Sequence, residues 1–220
     1  MFPLPLSIWF EIAALTISLV CYNSLKNKPL RWFVLFLFLV VVTELYGRHL
    51  RNELHEPNTW LYNIFIPIEF LFYGFIFTVQ YLSRKFQKLA GILMTVFGFL
   101  VIVTFLLLKN MLVLNTKVLI AGNILMIFCS CLYFVDLLNQ DIVFNLHKLP
   151  MFWISTGLLI FNAGELSYNL FFDYILSHKQ DFNAIVFTAI NGKLIFILYG
   201  FISIGLLCTK ISPNKNYLVK

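Results

Sequence analysis

Five ionisable side chains lie inside long apolar runs of this chain: Glu11, Glu44, Glu69, Glu165 and Lys193. An ionisable group near mid-bilayer costs roughly 2.5–3.5 kcal/mol on insertion scales, so such a residue is read first as functional and a partner is sought for it. At about 1.5 Å of rise per residue, Glu44 lies about 6–10 Å below one surface, Glu11 and Glu165 about 10 Å, and Glu69 and Lys193 about 14–15 Å. All five therefore fall in one half of the membrane. The other half offers hydroxyls, thiols and a few amides, with Asp136 near its edge. Four carboxylates cannot all stay ionised around one ammonium in a low dielectric, so at least one Glu is expected to hold a proton. Such a group can shuttle protons or donate a hydrogen bond.

Two of the acids belong to polar stripes. Tyr62–Glu69–Tyr73–Gln80 and Ser155–Asn162–Glu165–Asn169 both have the spacing that turns one helical face inward. Local backbone signals fall at the same depth. Pro67 removes the helical partner of the Asn63 carbonyl beside Glu69, and Asn191-Gly192 is expected to loosen the last helix beside Lys193. The candidate ligand- or proton-binding set is therefore Glu69, Glu165, Lys193, Glu44, Asn162, Tyr62, Tyr73 and Asn191.

Each member also has a purely structural reading. Glu69 and Lys193 can be a buried ion pair, and the Asn162–Glu165 stripe an interhelical hydrogen-bond network. Glu44 and Arg48 stand one turn apart, as a surface salt bridge would. Glu11 can reach up to the headgroups. No nucleophile sits in a recognisable motif, so no catalytic residue is assigned. His49, His55 and His178 lie among loop acids without H-E-x-x-H or paired-cysteine spacing, which reads as a solvated rim and not a metal site.

The elements that must position these residues are membrane helices. The chain is 60% hydrophobic and 12% charged, where a soluble domain carries about 25% charged residues. Its mean hydropathy is +0.87. No water-soluble fold hides that much apolar surface. The formal charge of +6 needs no nucleic acid to explain it, because Lys and Arg collect on cytoplasmic loops for topological reasons. Apolar runs near 4–24, 30–50, 59–81, 87–108, 112–137, 149–172 and 183–209 are each long enough to cross a core of about 30 Å. The expected fold is all-α: a polytopic membrane protein forming a single seven-helix transmembrane domain over 1–220. Lys26, Lys28, Arg31, Arg84, Lys85, Lys88, Lys148, Lys210, Lys215 and Lys220 outnumber the basic residues of the opposite loops, which sets the N-terminus outside and the C-terminus inside. The ionisable residues then occupy the outer half. All four cysteines fall in cytoplasmic halves of helices, so no structural disulfide is expected. The first run lacks a basic n-region and a cleavage site, and reads as a retained helix.

The spacing also suggests a parallel three-plus-one-plus-three repeat. Pro29-x-x-Trp32 followed by Glu44-Leu45 matches Pro150-x-x-Trp153 followed by Glu165-Leu166. Phe70-Leu71-Phe72-Tyr73-Gly74-Phe75-Ile76 matches Phe196-Ile197-Leu198-Tyr199-Gly200-Phe201-Ile202. The first and fifth helices do not align, and interfacial Trp and Pro can produce such a match alone.

The run Tyr62-Asn63-Ile64-Phe65-Ile66-Pro67-Ile68-Glu69-Phe70-Leu71-Phe72-Tyr73 carries a resemblance, together with Glu44, Gly47-Arg48, Phe152-Trp153-Ile154 and Gly157. In these the chain resembles small uncharacterised seven-helix integral membrane proteins of the kind common in Bacteroidetes. That resemblance implies a bacterial inner membrane and no particular activity. Lys193 in a last helix is similar to the retinal lysine of microbial rhodopsins, but Ala189 stands where that family has Asp, which argues against retinal. No other cofactor is implied. Three functions remain open. The first is a receptor- or sensor-like protein that takes a small ligand from the outer side and signals through a cytoplasmic partner or a homo-oligomer. The second is a small-molecule or proton-coupled carrier, and the third an intramembrane enzyme.

Overall fold

The computed structural model describes residues 5–26, 28–81, 83–107, 111–140, 145–177 and 182–211, with side chains described outside 171–189 and 211. His178 and the tail lysines Lys215 and Lys220 lie outside the described residues. Every regular element among the described residues is helical: α1 (Leu6–Val20), α2 (Tyr22–Leu25), α3 (Trp32–Asn52), α4 (Thr59–Gln80), α5 (Arg84–Leu107), α6 (Thr116–Leu138), α7 (Pro150–Ser177) and α8 (Phe182–Ile211). Short 3-10 turns at Pro29–Arg31 and Leu146–Lys148 lead into α3 and α7.

Five stretches are long and apolar enough to cross a membrane: Pro29–Asn52, Thr59–Gln80, Arg84–Leu107, Thr116–Leu138 and Ile190–Lys210. The apolar helix α1 is shorter, at 15 residues. The 28-residue α7 carries the Ser155–Asn169 polar stripe and is not among the five. The fold class read from the sequence is thus present as an all-helical chain built of apolar helices.

Two helix starts differ from the spans expected, each for a local reason. α6 begins at Thr116 and not near 112, because the Asn115 side chain accepts the Val118 N–H at 3.4 Å as an N-cap. α5 begins at Arg84 and not at 87, where Asp136 of α6 binds the N–H and hydroxyl of Ser83 just before its first turn. α4 and α8 run as continuous helices through Pro67 and through Asn191-Gly192, so neither position ends its helix.

The chain divides into two compact units, Lys28–Asn139 and Met1–Asn27 with Gln140–Lys220. In the first, α4 packs against α3, α5 and α6. Glycines set the close contacts: a Cβ on Gly74 would collide with Met94 of α5, and one on Gly122 with the ring of Phe70. Phe70 in turn stands edge-on to Phe97 of α5 at 5.8 Å. The α3–α4 contact is aromatic instead. Phe36 stacks on Phe72 with centroids 4.0 Å apart, and Phe33 meets Phe72 edge-on at 5.1 Å.

In the second unit α8 packs against α1 and α7. Small residues let the α7 and α8 backbones approach closely. A Cβ on Gly157 would lie 2.7 Å from Phe201 Cβ, one on Gly164 2.6 Å from Leu194 Cδ2, and one on Gly205 2.7 Å from the Pro150 carbonyl. The partners descend along α8 as the glycines ascend α7, so the two helices are antiparallel. Phe10 of α1 meets Phe196 of α8 edge-on at 4.4 Å. Gly157→Leu is therefore expected to lower stability by roughly 1–3 kcal/mol through overpacking, read as a fall in thermal midpoint in detergent. Gly200→Leu on the same hairpin, where a Cβ meets open space, should leave the midpoint close to wild type.

The positions matched in the suggested repeat agree in part. Tyr73 and Tyr199 are both buried. Gly74 is packed against Met94, whereas Gly200 is open.

Candidate functional site

The antiparallel α3–α4 pair brings two of the expected residues into contact. Tyr62 donates its hydroxyl to Glu44 Oε2 at 3.1 Å. The reason is visible one turn further along α3, at Gly47. A Cβ there would stand 3.0 Å from Tyr62 Oη and 3.4 Å from ring Cζ, so glycine leaves the notch into which the phenol fits. Asn58 closes the same corner, donating to the Gly47 carbonyl at 3.0 Å. Glu44 and Tyr62 are both half-buried. The result is a carboxyl with a fixed phenolic donor, held by two helices and still partly open.

Glu69 lies two turns further along α4, about 10 Å at the helical rise, and is also half-buried. Next on the same stripe, Tyr73 is buried with its ring against Phe33 and Phe36 of α3, the latter at 5.2 Å. The inward face read from the spacing Tyr62–Glu69–Tyr73 is therefore the face that α4 turns along α3.

Beside Tyr62, Asn63 is buried and fully engaged. Its Nδ2 donates to the carbonyls of Met111 and Val113 at 2.9 and 2.8 Å, and its Oδ1 accepts the Asn115 N–H at 2.8 Å. One side chain on α4 thus holds the segment that enters α6. Sequence reading singled out only its backbone carbonyl.

In the other unit, Asn162 is 1% exposed. It gives Nδ2 to the Leu158 carbonyl at 2.7 Å, while Oδ1 has no hydrogen-bond partner. Ser155, seven residues earlier, is buried with its Oγ in the same condition. At 3.6 residues per turn this face is rotated about 160° from the one that Gly157 and Gly164 present to α8. Glu165 is half-buried, and Asn169 donates to its backbone carbonyl at 2.9 Å.

Lys193 stands apart from these. The Gly164–Leu194 contact puts it at the height of Glu165, yet its side chain is exposed. It shares an outward stripe with Ile197, Gly200 and Ile204, all partly or fully exposed. Asn191, two residues away, is half-buried and points to a different side of α8. Among the described residues Lys193 makes no ion pair.

Three polar residues were underweighted in the sequence. Glu11 is 2% exposed on the buried stripe Ile8–Glu11–Ala14–Ser18, so it does not reach toward headgroups. Asn123 of α6 is fully buried, with neither amide atom hydrogen-bonded. Asp136 is fully buried and binds Ser83 through both oxygens, the backbone N–H at 3.1 Å. The signal for Asp136 was the start of α5, where Arg84, Lys85 and Lys88 crowd a helix N-terminus that favours an anion. His49 pairs with Glu53 at 2.7 Å on the exposed end of α3, in keeping with a solvated rim.

The chain has the build of a helical membrane protein with a carboxyl–phenol pair between two of its spans. No family model, curated protein or solved structure matches it.

Proposed function

We propose that the chain is a seven-pass protein of the bacterial inner membrane, N-terminus outside, which binds a small ligand or protons in its outer half in a receptor-like manner. The site centres on Glu44 and Tyr62, with Glu69 and Tyr73 deeper on the same face of α4. Within the other unit Asn162, Glu165 and Asn191 form a separate polar set, and Lys193 lies at the height of Glu165 on the exposed stripe of α8. The excess of basic residues on alternate loops supports the orientation. Two further crossings come from α1 with α2 and from α7, whose 28 residues reach about 42 Å at the helical rise.

One observation carries the reading: the hydrogen bond from Tyr62 to Glu44 across two spans. An acid that merely serves topology needs no glycine notch to seat a phenol against it. A carrier is the second reading. It is favoured by the matched hairpins, α3–α4 and α7–α8, falling one in each compact unit.

The test uses the purified full chain in liposomes holding a pH-sensitive dye. After an acid jump the receptor-like reading expects a saturable proton uptake without sustained flux, lost in Glu44→Gln. Sustained flux lost in Glu69→Gln would establish the carrier. Uptake indifferent to both substitutions would end both readings.

A further inference from the structure

Among the five crossing stretches, α5 is the least buried, and its two buried residues are Ala90 and Phe97. With Met94, which meets Gly74, these mark the side it turns to α4 and α6. About 120° away, at 3.6 residues per turn, runs a second stripe: Arg84, Lys88, Gly91, Thr95, Gly98 and Ile102. It is partly or fully exposed along its whole length. Arg84 and Lys88 form its head, and below them the floor is bare. A Cβ on Gly91 or Gly98 would meet nothing within 4 Å, as is also true of Gly192 and Gly200 on α8, whereas Gly47, Gly74, Gly122, Gly157, Gly164 and Gly205 each lie against a neighbouring side chain or backbone. Glycine is a poor helix former, and no internal contact accounts for Gly91 or Gly98. Between them Thr95 turns its hydroxyl back onto the Gly91 carbonyl at 2.9 Å. Below its two cations the stripe is therefore small and weakly polar, running through Gly91, Thr95, Gly98 and Ile102.

We propose that this face of α5 holds an anionic phospholipid, its phosphate between Arg84 and Lys88 and one acyl chain along Gly91, Thr95 and Gly98. Charge selects the occupant. A second copy packed through the same stripe about a two-fold axis along the membrane normal would set Arg84 and Lys88 against their own equivalents. Like charges so placed repel, whereas an anionic headgroup is complementary. Length agrees as well. Gly91 and Gly98 lie about 5 and 15 Å from Lys88 along the helix, within the depth of one leaflet of a hydrocarbon core about 30 Å thick. The backbone N–H of Ser83 is already taken by Asp136, so that donor is not offered to the headgroup.

The full chain would be reconstituted in nanodiscs containing equal amounts of phosphatidylglycerol and phosphatidylcholine, and the lipid that stays bound on extraction counted by native mass spectrometry. Phosphatidylglycerol should be retained in several-fold excess. That excess should vanish in the double variant Arg84→Gln with Lys88→Gln, and also in Gly91→Leu with Gly98→Leu, which covers the bare stripe while keeping both charges. Leucine at either glycine enters open space, and an unchanged thermal midpoint would confirm that the variant is folded. Lys85, exposed but about 100° off the stripe, is the control, and Lys85→Gln should keep the excess. Equal retention of the two lipids, or a loss in Lys85→Gln as large as in the double charge variant, would overturn the proposal. So would a cross-linked dimer through Gly98→Cys in place of bound lipid, because a second copy would then cover the face.

Discussion

Replacing Asp136 with alanine is expected to cost about 3 kcal/mol of stability, since hydrogen bonds to a charged group contribute about 1.5–3 kcal/mol and their loss strands the partner. The carboxylate accepts both the N–H and the hydroxyl of Ser83. It also places a negative charge at the start of α5, where Arg84, Lys85 and Lys88 would otherwise face the positive end of the helix dipole. Without it, Ser83 loses its tie to α6. The corner is further held by Tyr81, which donates to the Cys129 carbonyl at 2.7 Å, and by Gln87, which donates to the Tyr81 carbonyl at 2.8 Å. Local opening there should therefore follow the loss of Asp136. The measurement is the thermal midpoint in detergent, with a double-mutant cycle against Ser83→Ala. A coupling energy of about 1–2 kcal/mol is expected, within the range for residues in one hydrogen-bond network. Additive effects would mean that the contact contributes nothing.

Asn63→Leu should cost about 2–4 kcal/mol, the loss of three neutral hydrogen bonds at roughly 1 kcal/mol each plus stranded groups. Leucine keeps the branching of asparagine but is bulkier, so overpacking at this buried position adds to the loss. Asn63→Asp separates the donors from the acceptor. It keeps an oxygen for the Asn115 N–H but turns its other oxygen toward the Met111 and Val113 carbonyls. It should be at least as damaging as leucine. Amide exchange at Asn115 reports the clamp directly: it should accelerate in Asn63→Leu and stay slower in Asn63→Asp. Unchanged exchange in both would show that the segment is held by something else.

Much of the architecture was legible because bilayer-crossing helices announce themselves by length and apolarity, and five stretches meet that standard. The limits of the helices were less legible. The start of α6 depends on the Asn115 cap, and that of α5 on an Asp136 contact from more than fifty positions away in sequence. Neither leaves a mark in local hydropathy. The inward face Tyr62–Glu69–Tyr73 could be read from spacing alone, because helical periodicity fixes which residues share a side. Which partner each residue meets could not, because that depends on the register between helices. Thus Glu44, one turn from Arg48, proves to hold Tyr62 eighteen residues away. Lys193 shows what depth alone leaves open. Its depth marked it as costly, but depth does not distinguish an interior face from an exposed one, and it lies on the exposed stripe of α8. At Pro67 and Asn191-Gly192, where a lost helical hydrogen bond and a loosening were expected, α4 and α8 are continuous helices.

Infrared difference spectroscopy across an acid–base step tests the Glu44–Tyr62 pair most directly. The wild-type chain should show a carboxyl C=O band that disappears in Glu44→Gln and moves to higher frequency in Tyr62→Phe, where the phenolic donor is gone. A band unchanged by both substitutions would contradict the account.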